Sequence, residues 1–221
     1  LFVATNPTWS GLTSYWRMET GTTVVDYGSN HFNGTSSNVS WVAGKKNNGG
    51  AFTSSNAKIV LADANKYNFE RTDSFSFSLW VKRISLQNPA FLFQKQQVSL
   101  GYRGYGMSIT LVGGTGRHEV IFQLFYSTTI QLQVRSNQSL TSTTDWYHIV
   151  LTYNGSSLAS GAKIYVNGVC DNYVYYNTLI NTTKNTTPLI IGNFETPTTN
   201  NTIIDEVGVW NRVLSQDEVT A

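Results

Sequence analysis

The sequence predicts an all-β protein, two antiparallel sheets packed face to face. Three observations carry this. Apolar and polar residues alternate with a period of two in short runs, turn residues separate those runs, and the polar remainder of the 221-residue chain is Asn, Thr, Ser and Gly rather than Lys and Glu. Many short strands at such spacing argue for a sandwich or jelly roll rather than a parallel sheet with helices.

The elements follow in order. Phe75, Phe77, Leu79 and Val81 alternate with Ser76, Ser78, Trp80 and Lys82, the pattern of a half-buried strand. Val120, Phe122 and Leu124 alternate with Ile121, Gln123 and Phe125, and Ile130, Leu132 and Val134 with Gln131, Gln133 and Arg135. Ile149–Tyr153 and Ala162–Val166 continue the series, and Asn167-Gly168 marks a hairpin turn. Leu189–Gly192 and Ile203–Trp210 read as closing strands, with turn signals at Gly28–Asn30, Asn47–Gly50, Asn154-Gly155 and Asn193–Asn201. Gly101–Gly106 and Gly113–Gly116 read as hairpin ends, without the strand-to-helix context that phosphate binding needs. Two helical signals remain, a short turn at Asp63–Tyr67 and a capping box at Ser215–Glu218.

Composition narrows the function. Charged residues are 13% of the chain, about half the usual share, and 15 basic minus 13 acidic residues leave +2. That supplies no field for nucleic acid or anionic lipid. Hydrophobic residues at 40% provide a sizeable core and exclude a disordered chain. No apolar run reaches the roughly 18 residues of a membrane span. The single cysteine, Cys170, excludes an internal disulfide and leaves the redox compartment open. The chain starts at Leu1 without a signal peptide, and its last residues begin a helix. The expectation is one domain, residues 1–221, excised from a longer protein.

Four segments resemble laminin-G-like jelly rolls: Tyr15–Glu19 with Val25–Asn30 and Asn33–Thr35, then Phe75–Lys82, then Asp145–Val150 with Ile164–Gly168, then Ile204–Ser215. The resemblance runs from about Tyr15 to the C-terminus, in order and at sensible distances. It implies the concanavalin A-like sandwich of two antiparallel sheets, one concave and one convex. Members of that family include sugar-binding modules, adhesion domains and parts of larger enzymes or virions, so function has to be argued from sites. Many hold a structural calcium near the terminal strands. The resemblance places such an ion at Asp205 and the Asp26–Asn30 turn, where Asp26 and Asn30 would add side-chain oxygens.

Catalysis finds no support in the residues. Glycan hydrolysis needs two carboxyl groups about 5–9.5 Å apart across one cleft. No strand carries two acids on one face; Glu119 has no acidic neighbour on its strand, and the adjacent Asp205 and Glu206 are expected to point to opposite faces. His31, His118 and His148 lack a nucleophile motif.

Sugar binding is the stronger expectation. With the valine and leucine side taken as core, Gln123, Phe125, Gln131, Gln133 and Arg135 share the opposite, concave face. Amides and Arg bond hydroxyls, and aromatic rings stack on sugar faces. Tyr102, Arg103 and Tyr105 are expected at the rim, and Tyr173, Tyr175 and Tyr176 form a further aromatic cluster. The reading is a non-catalytic carbohydrate-binding or adhesion module whose partners are a glycan or cell-surface polysaccharide and the other domains of its parent chain. It would act outside the cell, on a cell surface or on a virion. A structural virion domain and an accessory domain of a glycan-degrading enzyme are the alternatives.

Overall fold

A computed structural model describes residues 10–61, 65–86, 89–193 and 200–221. One sheet runs from edge to edge as β14 (Val169–Cys170), β13 (Ala162–Val166), β12 (Trp146–Asn154), β7 (Ser74–Arg83), β17 (Thr202–Trp210), β5 (Asn48–Ala51) and β4 (Ser40–Ala43), with β1 (Leu12–Trp16) also paired to β17. The other runs as β15 (Asn172–Asn177), β11 (Gln131–Ser136), β10 (Arg117–Phe125), β9 (Arg103–Val112), β8 (Ala90–Gln97), β16 (Leu189–Gly192), β6 (Lys58–Leu61), β3 (Gly34–Ser37) and β2 (Thr23–Val24). These are an eight-stranded and a nine-stranded antiparallel sheet, the expected sandwich.

The core lies between them and follows the alternation. Phe75, Phe77, Leu79 and Val81 of β7 face Val120, Phe122 and Leu124 of β10 and Leu132 and Val134 of β11, all in one buried cluster. Phe77 stacks on Phe93 across the two sheets with ring centroids 4.1 Å apart. Burying one such ring contributes about 1.5–3 kcal/mol, so this cluster dominates the stability.

Local signals behave as the sequence predicts. Asn167 and Gly168 both adopt positive φ, 51° and 82°, the geometry of a two-residue hairpin turn. Ser215 caps α1 (Gln216–Thr220), accepting from the Glu218 N–H while the Glu218 side chain accepts from the Ser215 N–H. The helical turn expected at Asp63–Tyr67 lies in part outside the described residues; 65–67 form a turn. The turn expected at Asn193–Asn201 likewise falls largely outside them.

One departure comes from a buried cation. Lys95 of β8 points inward, where its ammonium donates to the Asn185 carbonyl and Oδ1 and, at 2.6 Å, to the Thr187 carbonyl. Asn185 returns its amide to the carbonyls of Lys95 and Arg103. The polar segment before β16 is thereby pinned to β8 and β9.

Candidate functional site

The outer face of the nine-stranded sheet, away from the core, carries polar side chains in register. Direct cross-strand neighbours run Tyr176–Gln133–Gln123–Gly106–Gln94 across β15, β11, β10, β9 and β8. A second row runs Gln131–Phe125–Gly104–Gln96, and a third Tyr173–Arg135–Ile121–Ser108. At about 4.8 Å per strand, Gln133 to Gln94 spans about 14 Å, long enough for a short oligosaccharide. Glycine in a strand interior leaves room for close approach. Gln94 and Gln96 lean across Gly106, the Gln94 Cγ and Gln96 Nε2 each 3.3 Å from where a Cβ would stand. The amides therefore form a floor rather than a brush.

Two of these amides are incompletely satisfied. Gln94 is 2% exposed and its Nε2 has no hydrogen-bond partner; Gln131 is 6% exposed and its Oε1 has none, although its Nε2 donates to the Thr128 carbonyl. An unpaired buried polar atom costs about 1–3 kcal/mol, so stability does not explain their retention. At the β15 edge, Arg135 donates from Nε to Gln133 Oε1 at 2.8 Å and lays its guanidinium 3.3 Å over the Tyr175 ring. Glu119, the one acidic residue in the nine strands, pairs with Arg117 and accepts from the Tyr173 hydroxyl at 2.8 Å. Burial, then this carboxylate, pushes the Tyr173 hydroxyl pKa up.

The structure thus brings Gln123, Phe125, Gln131, Gln133 and Arg135 together as expected, but corrects the rim. Tyr105 is 1% exposed in the core, its hydroxyl donating to the Tyr67 carbonyl and its pKa raised by burial. Arg103 turns to the core side, its guanidinium 4.5 Å over the Tyr126 ring. Tyr102 stays exposed at the turn before β9, with a positive φ. Phe125 is on the correct face but 7% exposed, too covered to serve as a stacking platform, and Gln94, Gln131 and Gln133 are as covered at 2%, 6% and 3%, so Gln123, Arg135 and Tyr176 are the more open side chains of these rows. Tyr176, 43% exposed beside Gln133, offers the open ring instead. Gly104 and Gly106 lie inside β9 rather than at a hairpin end. Gln94 and Gln96 escaped the sequence reading because a register shift near Leu92 and the inward Lys95 break the alternation of β8.

The residues expected to share a calcium do not converge. Asp26 bridges one edge of β1 through Trp16, whose other edge pairs with β17, so β1 separates Asp26 from Asp205. The Asp26 carboxylate accepts backbone N–H bonds from Tyr15, Gly28 and Phe32. Asn30 donates its side-chain amide toward Ser14. Asp205 accepts from the N–H groups of Lys46 and Glu206. These carboxylates tie loops to strands. Among the described residues no group of three or more His, Cys, Asp or Glu could hold a metal.

Asp205 and Glu206 also depart from expectation. Asp205 pairs with Trp80, and a bulge between Asp205 and Gly208 brings Glu206 into the cleft lined by Trp80, so the two acids lie on the outer side of the eight-stranded sheet between the core residues Ile204 and Val207. Asp205 is fully buried, its carboxylate held by backbone donors, and burial pushes its pKa up to about 6.

Two stacked antiparallel sheets with a polar, amide-lined outer face define a lectin-like β-sandwich. The chain belongs to the concanavalin A-like lectin/glucanases superfamily, its laminin-G group matching residues 53–220. No curated protein matches it in sequence. Among solved structures, it is similar to the binding domain of Paraclostridial Mosquitocidal Protein 1, at 19% identity and TM-score 0.74, over 96% of this chain and 52% of that one. It is similar to domain 4 of AbnA, an extracellular arabinanase from Geobacillus stearothermophilus, in complex with arabinotriose, at 18% identity and TM-score 0.67, over 95% and 96%. It is also similar to Trypanosoma rangeli sialidase, at 18% identity and TM-score 0.68, over 96% and 32%. The chain spans about half the length of the toxin binding domain and a third of the sialidase. At these identities the likeness is one of fold. No helix among the described residues is long and apolar enough to cross a membrane.

Proposed function

We propose that the protein is a non-catalytic carbohydrate-binding module, one part of a longer secreted or surface-exposed protein, that takes a neutral glycan across the outer face of its nine-stranded sheet. The observation that carries this reading is the register of Gln133, Gln123, Gly106 and Gln94 on four adjacent strands of the face the core does not use. Amides donate and accept at once, which suits a chain of hydroxyls. Arg117 is neutralised by Glu119, and Arg135 is held in place by the Gln133 amide and the Tyr175 ring, so the three cross-strand rows carry a single uncompensated charge among neutral amides. Tyr176 supplies the stacking ring. A non-catalytic role is supported by Glu119 standing as the single acid of these strands, already engaged by Arg117 and Tyr173.

The accessory-domain alternative gains support from the near-complete mutual coverage with the arabinanase domain. Isothermal titration with arabinotriose and with neutral gluco- and galacto-oligosaccharides tests the reading. Gln133→Ala and Gln123→Ala should each weaken the best ligand by about tenfold, the loss of about 1.4 kcal/mol expected for a hydrogen bond. Undiminished affinity in both variants, or reducing sugar released by the wild type, would overturn it.

A further inference from the structure

The outer face of the eight-stranded sheet holds a cleft of about 790 Å3 that the sugar face leaves unexplained. Trp80 of β7, Trp146 and His148 of β12, Trp210 of β17, Glu206 at the bulge and Lys45 from the β4–β5 turn line it, and α1 closes one end. Three of the chain's six tryptophans therefore converge on one surface depression. Trp210 is buried beneath α1 with Leu214 and Val219, which accounts for it as packing. Trp80 and Trp146 are only half-buried, so packing does not account for them.

Two polar features point inward. Glu206 adopts φ +51°, a left-handed conformation unusual for a non-glycine residue, at the bulge in β17. Its Oε2 accepts from the Tyr15 hydroxyl, while its Oε1 is shut off from water and has no partner. The Lys45 ammonium rests 4.2 Å over the Trp80 ring. His148 stacks beside Trp80 at 4.9 Å and is bonded through Nε2 to the Ser78 hydroxyl. Burial, then Lys45, lowers its pKa to about 4, so it is neutral at physiological pH.

We infer that this cleft is a second saccharide site, independent of the glutamine face, that takes one or two rings of a neutral sugar. Trp146 and Trp80 would meet the apolar face of a ring, Glu206 would turn its unpartnered Oε1 outward to accept a hydroxyl, and Lys45, displaced from Trp80, would donate to another. The volume lies in the range of small-ligand sites. A lipid chain would leave Glu206 and Lys45 facing hydrocarbon without compensation, whereas a polyol beside indole matches both kinds of wall.

One array decides it. Wild type, Trp146→Ala, Glu206→Gln and Gln133→Ala are each probed on the same immobilised arabino-, gluco- and galacto-oligosaccharides and ganglioside headgroups, with melting and size-exclusion profiles recorded for all four. Expected are neutral glycans whose binding drops tenfold or more in Trp146→Ala and in Glu206→Gln but not in Gln133→Ala. Should Trp146→Ala fail to fold, the near-isosteric Glu206→Gln carries the test alone. If Gln133→Ala alone abolishes every signal, the cleft is not a site and the glutamine face stands. If only the cleft variants lose binding, the cleft stands and the glutamine-face reading fails. A wild type that binds nothing sinks both. An unchanged array with a dimer lost in Trp146→Ala assigns the cleft to self-association and overturns the inference.

Discussion

The two outer faces of this sandwich grow from the same kind of alternating strand and become different surfaces. On the nine-stranded sheet the ladders through β11, β10 and β9 run without a shift, so outward residues stay in rows and form a flat amide floor. On the eight-stranded sheet a bulge in β17 turns Glu206 outward beside Asp205, and α1 folds over Trp210. Regular register yields an extended track suited to a chain. Broken register with a terminal helix yields a walled pocket suited to a ring. The comparison teaches that in one fold the ladder's regularity, as well as its residue types, sets the shape of each outer face.

The largest expected effect breaks both faces together. Gly104 sits at φ +128°, and a Cβ there would lie 1.9 Å from the Lys95 carbonyl oxygen and 2.4 Å from the Asn185 amide. Gly104→Ala should cost on the order of 3 kcal/mol or more. Because the sheets share one core, urea unfolding followed by tryptophan fluorescence and by far-UV dichroism should give one lowered midpoint. Two separate midpoints would mean that the sheets fold independently.

A smaller effect separates the faces. Tyr176→Ala should weaken glycan binding about ten- to a hundredfold, on the order of 1–3 kcal/mol by analogy with base stacking, yet move stability by no more than about 0.5 kcal/mol, as exposed substitutions do. A sharp fall in melting temperature with binding intact would recast Tyr176 as packing surface.

Acid titration sharpens the contrast, because two opposed shifts, those of His148 and Asp205, meet on the eight-stranded side. His148 is lowered from 6.5 to about 4, so the stability it contributes is present above pH 6.5 and lost as pH falls toward 4. Asp205 is raised from 3.8 to about 6, so its contribution is present below pH 3.8 and lost as pH rises toward 6. Between pH 4 and 6 the two slopes oppose each other. His148→Gln removes the first, so relative to the wild type the variant should lose stability as pH rises through that window. Urea midpoints at pH 4.5 and 6 measure this; parallel profiles would contradict the assignment.

The smallest expected effect is none. Since backbone N–H groups occupy the Asp26 and Asp205 carboxylates, EDTA should leave the melting curve unchanged. A bound calcium at a hundredfold excess over its Kd would add about 2.7 kcal/mol, and a drop of that order on chelation would restore the metal site.

Much of the fold was legible because the alternation in β7, β10, β11 and β12 is a local signal that tertiary context left untouched. The amide row on β10 and β11 was legible for the same reason. Its continuation onto β8 was not, since Lys95 satisfies its charge inside the protein through Asn185 and Thr187, distant in sequence. Tyr105 misled because period-two reading fixes a face only once the register is known, and its ladder partner Lys95 faces inward too. The cleft was invisible for a further reason. The opposite-faces rule applied to Asp205 and Glu206 fails at a bulge, and no residue type there announces one.

Side-chain NMR of the wild type tests the central claim most directly. With the tightest neutral glycan selected on the glutamine face, the side-chain amide resonances of Gln94, Gln123 and Gln133 should shift together along one saturation curve, while the indole N–H signals of Trp80 and Trp146 stay in place. Glutamine signals that remain fixed while the indoles move would contradict the account.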